Sequence, residues 1–406
     1  MARVEWALHD GADVNYCDKD GMSPLHWAVE KNNLDLVELL LQEPALLVDI
    51  LDKFQCTPLS VACEKEFFPI VDLLLRKGAE VNHGDVDGWT ALHWTRSVQV
   101  AKRLLRQEGA RVDPLDEDGV TPLHLKVAVG DLEMVDFLLE NGANVNSCDS
   151  DGYTPVQTAT KNFDIQMVRL LVDKGANLFH EAPGSQSPLW MTCRTGVPPF
   201  SLGYIVMEEI DLKRRHAKSL EMAKVLLLDC GADPCHVHAC GLTPLHYVCE
   251  VDQSTEILKV MMEVASDLHV PGRDGQTALH SAARGGNLEM VRLLLDYGAD
   301  PLSRTKNGCT PLMLAAERNY VAVVRHLMQL QSPLDIYQTT RLLPHACEQQ
   351  SLDVVKVLCE EFGMSVDLQG PYGGKPFVSA CASGQLDTIL YFLREQTIFS
   401  HWTPLS

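Results

Sequence analysis

The densest group of metal-capable side chains in this 406-residue sequence runs from Cys230 to Cys249 and includes Cys235, His236, His238, Cys240 and His246. Cys235-x-x-His238 has the spacing of a zinc pair, and Cys240 offers a third ligand. Gly370-Pro371-Tyr372-Gly373-Gly374-Lys375 is too short for a phosphate loop, and Pro376 stands where a magnesium-binding hydroxyl is needed. Asp85-Val86-Asp87-Gly88 and Asp149-Ser150-Asp151-Gly152 begin like calcium loops but lack the ligand spacing and the distal Glu. No His-Glu-x-x-His, Gly-x-Ser-x-Gly or kinase motif is present. The expectation is a non-enzyme without a cofactor. Cys235, His238 and Cys240 are the only metal candidates, and weak ones.

Charge narrows the partners. With 34 Lys+Arg against 55 Asp+Glu the formal net charge is −21, which suits neither a nucleic-acid backbone nor an anionic membrane. The 13 cysteines are scattered and odd in number, so a reducing compartment is expected. Several fall at apolar positions, Cys63 and Cys381 among them. No signal core opens the chain, and no stretch is long and apolar enough for a bilayer span. The expected location is cytoplasmic, with the nucleus left open.

Length alone suggests two or three compact domains, but a repeat overrides that prior. A [Ser/Thr]-[Pro/Ala]-[Leu/Val] signature begins at Ser23, Thr57, Thr90, Thr121, Thr154, Ser187, Thr243, Thr277 and Thr310, with degenerate copies at Arg341 and Lys375. Successive copies lie 31 to 34 residues apart, except for one step of 56. In the unit at Thr277, Asp274-Gly275 supplies a turn with positive φ. Thr277 can cap a first helix, and Gly285-Gly286 ends it. Asn287–Leu295 is an amphipathic second helix, and Gly298 takes the left-handed position after it. No unit can bury its apolar face alone, so units must stack.

These residues resemble the ankyrin repeat. Thr-Pro-Leu-His stands intact at Thr121–His124 and Thr243–His246, and nearly so at Ser23–His26, Thr90–His93 and Thr277–His280. The resemblance implies an all-α solenoid of helix-turn-helix units with projecting β-turn loops. It also implies that the motif His fixes helix and loop by hydrogen bonding. His246 is then such a histidine and Cys249 a core residue, which is the plainer account of the Cys/His group. The expected organisation is an N-terminal block at 1–196, an insertion at 197–219 within the sixth unit, and a C-terminal block at 220–406. The third unit has a first helix about three residues short, by comparison with its neighbours. Val4–Asn15 and Trp402–Leu405 read as incomplete units. Either the chain is a fragment, or its uncapped ends are real and self-association is expected.

The resemblance implies protein binding through the projecting turns and the concave face of the first helices. Trp89 and Tyr153 are candidate anchors on turns, unless they pack on the neighbouring turn. Trp27, Trp94, Trp190 and Tyr247 follow the motif His or its equivalent, facing the groove or the adjoining turn. The first five turns carry ten acids, Asp85, Asp87, Asp116 and Asp118 among them, against Lys19 and Lys53. This is either ordinary turn chemistry or an acidic ridge for a basic protein partner. In the insertion, Lys213, Arg214 and Arg215 belong to a helical stretch over Tyr204–Leu228 that is either a solvated extension or a docking element. Asn82 and Asn146 occupy the turn-flanking Asn position that asparaginyl hydroxylases modify in such proteins. The function expected is a scaffold or adaptor. The alternative is the recognition region of a larger protein such as a ubiquitin-ligase receptor, kinase or channel.

Overall fold

The computed structural model describes residues 10–181, 186–193, 209–252, 254–265, 267–330, 336–365 and 375–399. Among them are 22 α-helices and no strand. The chain divides into two compact units, Met1–Pro188 and Leu189–Ser406.

In the first unit, first helices alternate with second helices. The first helices are α1 (Pro24–Glu30), α3 (Pro58–Glu64), α5 (Ala91–Trp94), α7 (Pro122–Val129) and α9 (Pro155–Lys161). The second helices are α2 (Leu34–Leu40), α4 (Phe68–Arg76), α6 (Val98–Leu104), α8 (Leu132–Glu140) and α10 (Ile165–Asp173). Each first helix packs on the next first helix, and each second on the next second. The core is therefore a continuous layer between the two rows, filled by Leu25, Val37, Leu59, Ile70, Leu74, Leu104, Leu123 and Met134. Each such side chain gains roughly 1.5–3 kcal/mol on burial, and only a neighbouring unit can supply that burial.

α11 (Pro188–Cys193) contains the boundary between the compact units. The second unit continues with α12 (Glu209–Lys224), α13 (Pro244–Tyr247), α14 (Thr255–Val264), α15 (Ala278–Gly285), α16 (Leu288–Asp296) and α17 (Pro311–Glu317). It ends with α18 (Val321–Leu330), α19 (Ile336–Glu348), α20 (Leu352–Glu360), α21 (Pro376–Ala382) and α22 (Leu386–Phe399). The same alternating packing recurs. Among the described residues no helix is long and apolar enough to cross a membrane.

Three departures from regularity have physical causes. Met222 precedes Gly231 by nine residues where Met290 precedes Gly298 by eight, so one residue is surplus. The helix absorbs it as a π turn at Val225–Asp229, with Cys230 N–H donating to the Val225 carbonyl at 3.0 Å. A second surplus residue, between Thr243 and Ser254, makes the π turn Val248–Asp252. The third departure lies at the degenerate copy beginning at Arg341: buried Leu343, Ala346 and Cys347 keep the register of Leu312, Ala315 and Ala316, but the helix, α19, begins earlier, at Ile336, and carries Pro344 inside it. Of the cysteines expected at apolar positions, Cys63 is buried but Cys381 is exposed, because among the described residues no first helix follows α21 to pack on that side.

The short third unit is confirmed, since α5 has four residues where α7 has eight. Its truncated end leaves the His93 carbonyl without a helical donor. Lys126, from α7 of the next unit, supplies one at 2.8 Å. Lys126 is 5% exposed, and burial lowers the pKa of its ammonium to about 8. Lys126→Met keeps most of the stem but strands that carbonyl. It should lower unfolding stability by about 1–3 kcal/mol, as read by urea denaturation, with no change in the helical circular dichroism of the folded state.

Candidate protein interface

Within each compact unit the turns and the first-helix N-termini are connected by hydrogen bonds. In each regular unit the cap residue and the residue three positions on make a reciprocal box. His93 Nδ1 accepts from the Thr90 amide at 3.0 Å, while its Nε2 lies 3.2 Å from the Val120 carbonyl of the next unit. His26, His124, His246 and His280 repeat this tie, reaching the carbonyls of Cys56, Tyr153, Gln276 and Cys309 at 2.9–3.3 Å. An amide can only donate and a carbonyl can only accept. Nδ1 is therefore bare, Nε2 carries the proton, and the ring is neutral. In the fifth unit Gln157 does the same work, accepting from Thr154 N–H at 2.7 Å and donating to the Gln186 carbonyl at 2.7 Å.

Neutrality gives these ties a pH signature. Burial lowers the pKa of His26, His93, His124 and His246, and takes His280 from 6.5 to about 4. The unfolded chain protonates first as pH falls. Stability is therefore complete above pH ~6.5 and is lost on acidification, with the His280 share levelling off near its folded value. His280→Gln should keep neutral-pH stability, as Gln157 does naturally, and should flatten the decline between pH 6.5 and 4 in thermal melts.

The turns are tied to one another as well. Lys53 N–H donates to the Asp20 carbonyl at 3.1 Å, Val86 N–H to Phe54 at 3.0 Å, and Glu117 N–H to Asp87 at 3.0 Å. A Cβ on Gly21 (φ +77°) would meet Lys53 N at 2.6 Å, so only glycine permits this approach. Asn82 bridges the Gly109 carbonyl and the Arg111 amide, and Asn146 bridges Gly175 and Asn177, at 2.7–3.2 Å. Both amide groups thus hold the next unit in register.

The acids expected as a ridge separate into two kinds. The Oδ1 of Asp85 accepts the Asp87 and Trp89 amides at 3.1 and 2.9 Å, and its Oδ2 takes the Trp94 indole N–H at 3.1 Å. Asp116 holds the Asp118 and Val120 amides and the Trp89 indole, the last at 3.0 Å. Asp18 does likewise for Asp20, Met22 and Trp27. Burial pushes the Asp18 carboxyl up, but the Trp27 indole and the two amides outweigh it and leave it below its ordinary value. Asp87 and Asp118 are exposed and make no such side-chain bonds. Asp85 and Asp116 thus build the turns, while Asp87 and Asp118 face solvent.

The aromatic candidates are placed accordingly. Trp89 is half-buried, its ring 4.7 Å from Trp94 and its indole on the next turn. Tyr153 is half-buried under the Lys161 ammonium at 5.6 Å, and Trp27 is exposed. Trp190 does not follow the motif position; it occupies that position. It is buried, its ring tilted against His238 at 4.7 Å and Tyr247 at 5.0 Å. Cys235 is buried with its thiol on the Asp267 carbonyl at 3.1 Å, and Cys240 is exposed on the turn. The structure does not bring Cys235, His238 and Cys240 together as ligands. Among the described residues no three His, Cys, Asp or Glu side chains gather to hold a metal.

Of the insertion, 197–208 lies outside the described residues. Lys213, Arg214 and Arg215 fall within α12, where Arg214 and Arg215 are exposed. A feature not anticipated from sequence is a cleft of about 390 Å³ between the turns at Asp52 and Asp85 and the helix α3, walled by Phe54, Val61, Glu64 and Trp94. Its signal was available: Asp-x8-Trp occurs at Asp18–Trp27 and Asp85–Trp94, and Asp52–Val61 breaks it.

Stacked helix pairs tied through capped turns define a helical repeat protein. The chain belongs to the ankyrin-repeat family: the family described as "Ankyrin repeats (3 copies)" matches residues 2–85, 45–97, 95–182, 214–305 and 265–340. Its relatives include human SH3 and multiple ankyrin repeat domains protein 2, 39% identical over 87 residues, which are 21% of this chain and 5% of that protein. Zebrafish ankyrin repeat and SOCS box protein 11 is 33% identical over 118 residues, 29% of this chain and 38% of the relative. The mouse B-cell lymphoma 3 protein homolog is 32% identical over 171 residues, 40% of this chain and 38% of the relative. The chain thus spans well under half the length of these relatives.

Proposed function

We propose that the chain is a non-catalytic scaffold or adaptor that holds partner proteins on its turns and first-helix face, and that the turns of the first unit take a basic partner. The observation that carries this reading is the division among the turn acids. If acids served only to shape turns, Asp85 and Asp116 would suffice. Asp87 and Asp118 stand beyond them in solvent, where charge steers association but adds little stability. The basic segment of α12 in the second unit is a separate docking element on this reading.

A second reading is favoured by the short coverage of the relatives. Ankyrin repeats serve as one part of longer proteins, such as the SOCS box protein and a putative E3 ubiquitin-protein ligase of Arabidopsis. This chain would then be the recognition region of a larger assembly.

The test uses partners recovered by affinity purification. Asp87→Asn with Asp118→Asn should weaken partner binding by about three- to tenfold and flatten its salt dependence, with the melting temperature unchanged. Asp85→Asn with Asp116→Asn should instead lower the melting temperature, because each Asn can set an amide donor against a tryptophan N–H. Unchanged affinity and salt dependence in the exposed pair would reduce the acids to turn chemistry.

A further inference from the structure

The second turn withholds a bond that its neighbours make. At Asp18 and Asp85 one carboxylate oxygen shapes the turn and the other accepts an indole N–H from the tryptophan nine residues on. Asp52 keeps the first half of the arrangement: Oδ1 accepts the Phe54 and Cys56 amides, both at 2.8 Å. Nine residues on stands Val61, which has no proton to give. Asp52 Oδ2 therefore receives no indole. Both Asp52 and Val61 line the cleft of about 390 Å³.

The walls of that cleft specify what would replace the indole. Trp94 presents an aromatic ring, held in place because its own N–H is bound to Asp85 at 3.1 Å. Phe54 and Val86, both exposed, also line it. Glu30, Glu64 and Asp87 add negative charge, and Lys65 offsets the two glutamates only partly, at 3.8 and 3.6 Å. The Cys56 thiol inside the cleft is pushed up to about 12 by burial first and then by Asp52, Asp85, Glu64 and Asp87, consistent with a strongly negative interior. A guanidinium fits this arrangement. It is planar, weakly hydrated, rich in N–H donors, and stacks on aromatic faces. An ammonium offers only a compact, well-hydrated charge.

We propose that the cleft receives an arginine side chain from a basic segment of a partner protein, its guanidinium donating to Asp52 Oδ2 and lying against the Trp94 ring. This rests on the first-unit turns being a protein-binding face, and it names the residue type they select.

The probe is a fluorescein-labelled peptide with three arginines in a Gly-Ser background, alongside its lysine and citrulline counterparts. Binding to the full chain is followed by fluorescence anisotropy, with the Trp94 indole proton observed by NMR. Two variants probe the site. Asp52→Asn retains the Oδ1 acceptor that shapes the turn, and Val61→Trp supplies the indole the first and third turns already have. The arginine peptide should bind saturably and shift the Trp94 resonance. The lysine peptide should bind at least about fivefold more weakly, and the citrulline peptide should not bind. Each variant should weaken the arginine peptide at least about tenfold while melting as the parent does. The proposal is overturned if the arginine peptide fails to bind, if both variants bind it like the parent, or if lysine serves as well as arginine. The last outcome leaves a general acidic attraction and spares the protein-binding reading. The acidic-ridge reading fails separately, if recovered partners bind the Asp87→Asn/Asp118→Asn chain unchanged at every salt concentration.

Discussion

The structure depends on a neutral imidazole bonded at both ends. Within its own unit the motif histidine completes a helix cap; across the boundary its Nε2 reaches the carbonyl that opens the next unit. The same ring thus satisfies an orphan donor at a helix start and fixes the distance to the neighbouring turn. Packing could tolerate several inter-unit offsets, because apolar contacts are not directional. The tie, with the backbone bonds from turn to turn, selects one. It follows that the turns present their side chains at fixed spacing, which a binding surface needs if it is not to spend affinity on ordering loops.

Much of this was legible in the sequence because the repeat states it many times over. Thr-Pro-Leu-His carries cap, first helical residue, core residue and tie in four letters, and its recurrence locates nearly every first helix. The failures occur where one unit departs from the others. The spacing that marks a degenerate copy at Arg341 does not show that the helix there begins earlier, at Ile336. Trp190 was placed beside the motif histidine position when it occupies it, exchanging a hydrogen-bonded tie for tilted ring contacts with His238 and Tyr247. The zinc candidates are not gathered, with the Cys235 thiol on the Asp267 carbonyl and Cys240 exposed, which Cys-x-x-His spacing cannot reveal. The acidic turns were legible as a charge pattern, but not as two populations. Only the indole partners show that Asp85 and Asp116 are committed to the fold while Asp87 and Asp118 are not.

The irregular units also show how the array accommodates length errors. A deficit in the third unit shortens α5 and is compensated from outside, by a buried lysine of the next unit on the stranded His93 carbonyl. A surplus is compensated from inside, by π turns at Val225–Asp229 and Val248–Asp252. In both cases the apolar rows stay in register and the adjustment falls on backbone hydrogen bonds. Irregularity of this kind is where individual surfaces arise, since regular units present the same face. The cleft beside Asp52 is one such surface, created by a valine where the neighbouring units have tryptophan.

On the proposed function, the turns and first-helix face of the first compact unit are a protein-binding surface. Hydrogen–deuterium exchange of the intact chain, alone and with an affinity-purified partner, tests it most directly. The account predicts partner-dependent protection of the turns at Asp52–Cys56 and Asp85–Trp89 and of α3, with exchange in α4 and α6 unchanged. Protection confined to α4 and α6, with those turns exchanging as they do in the free chain, would contradict it.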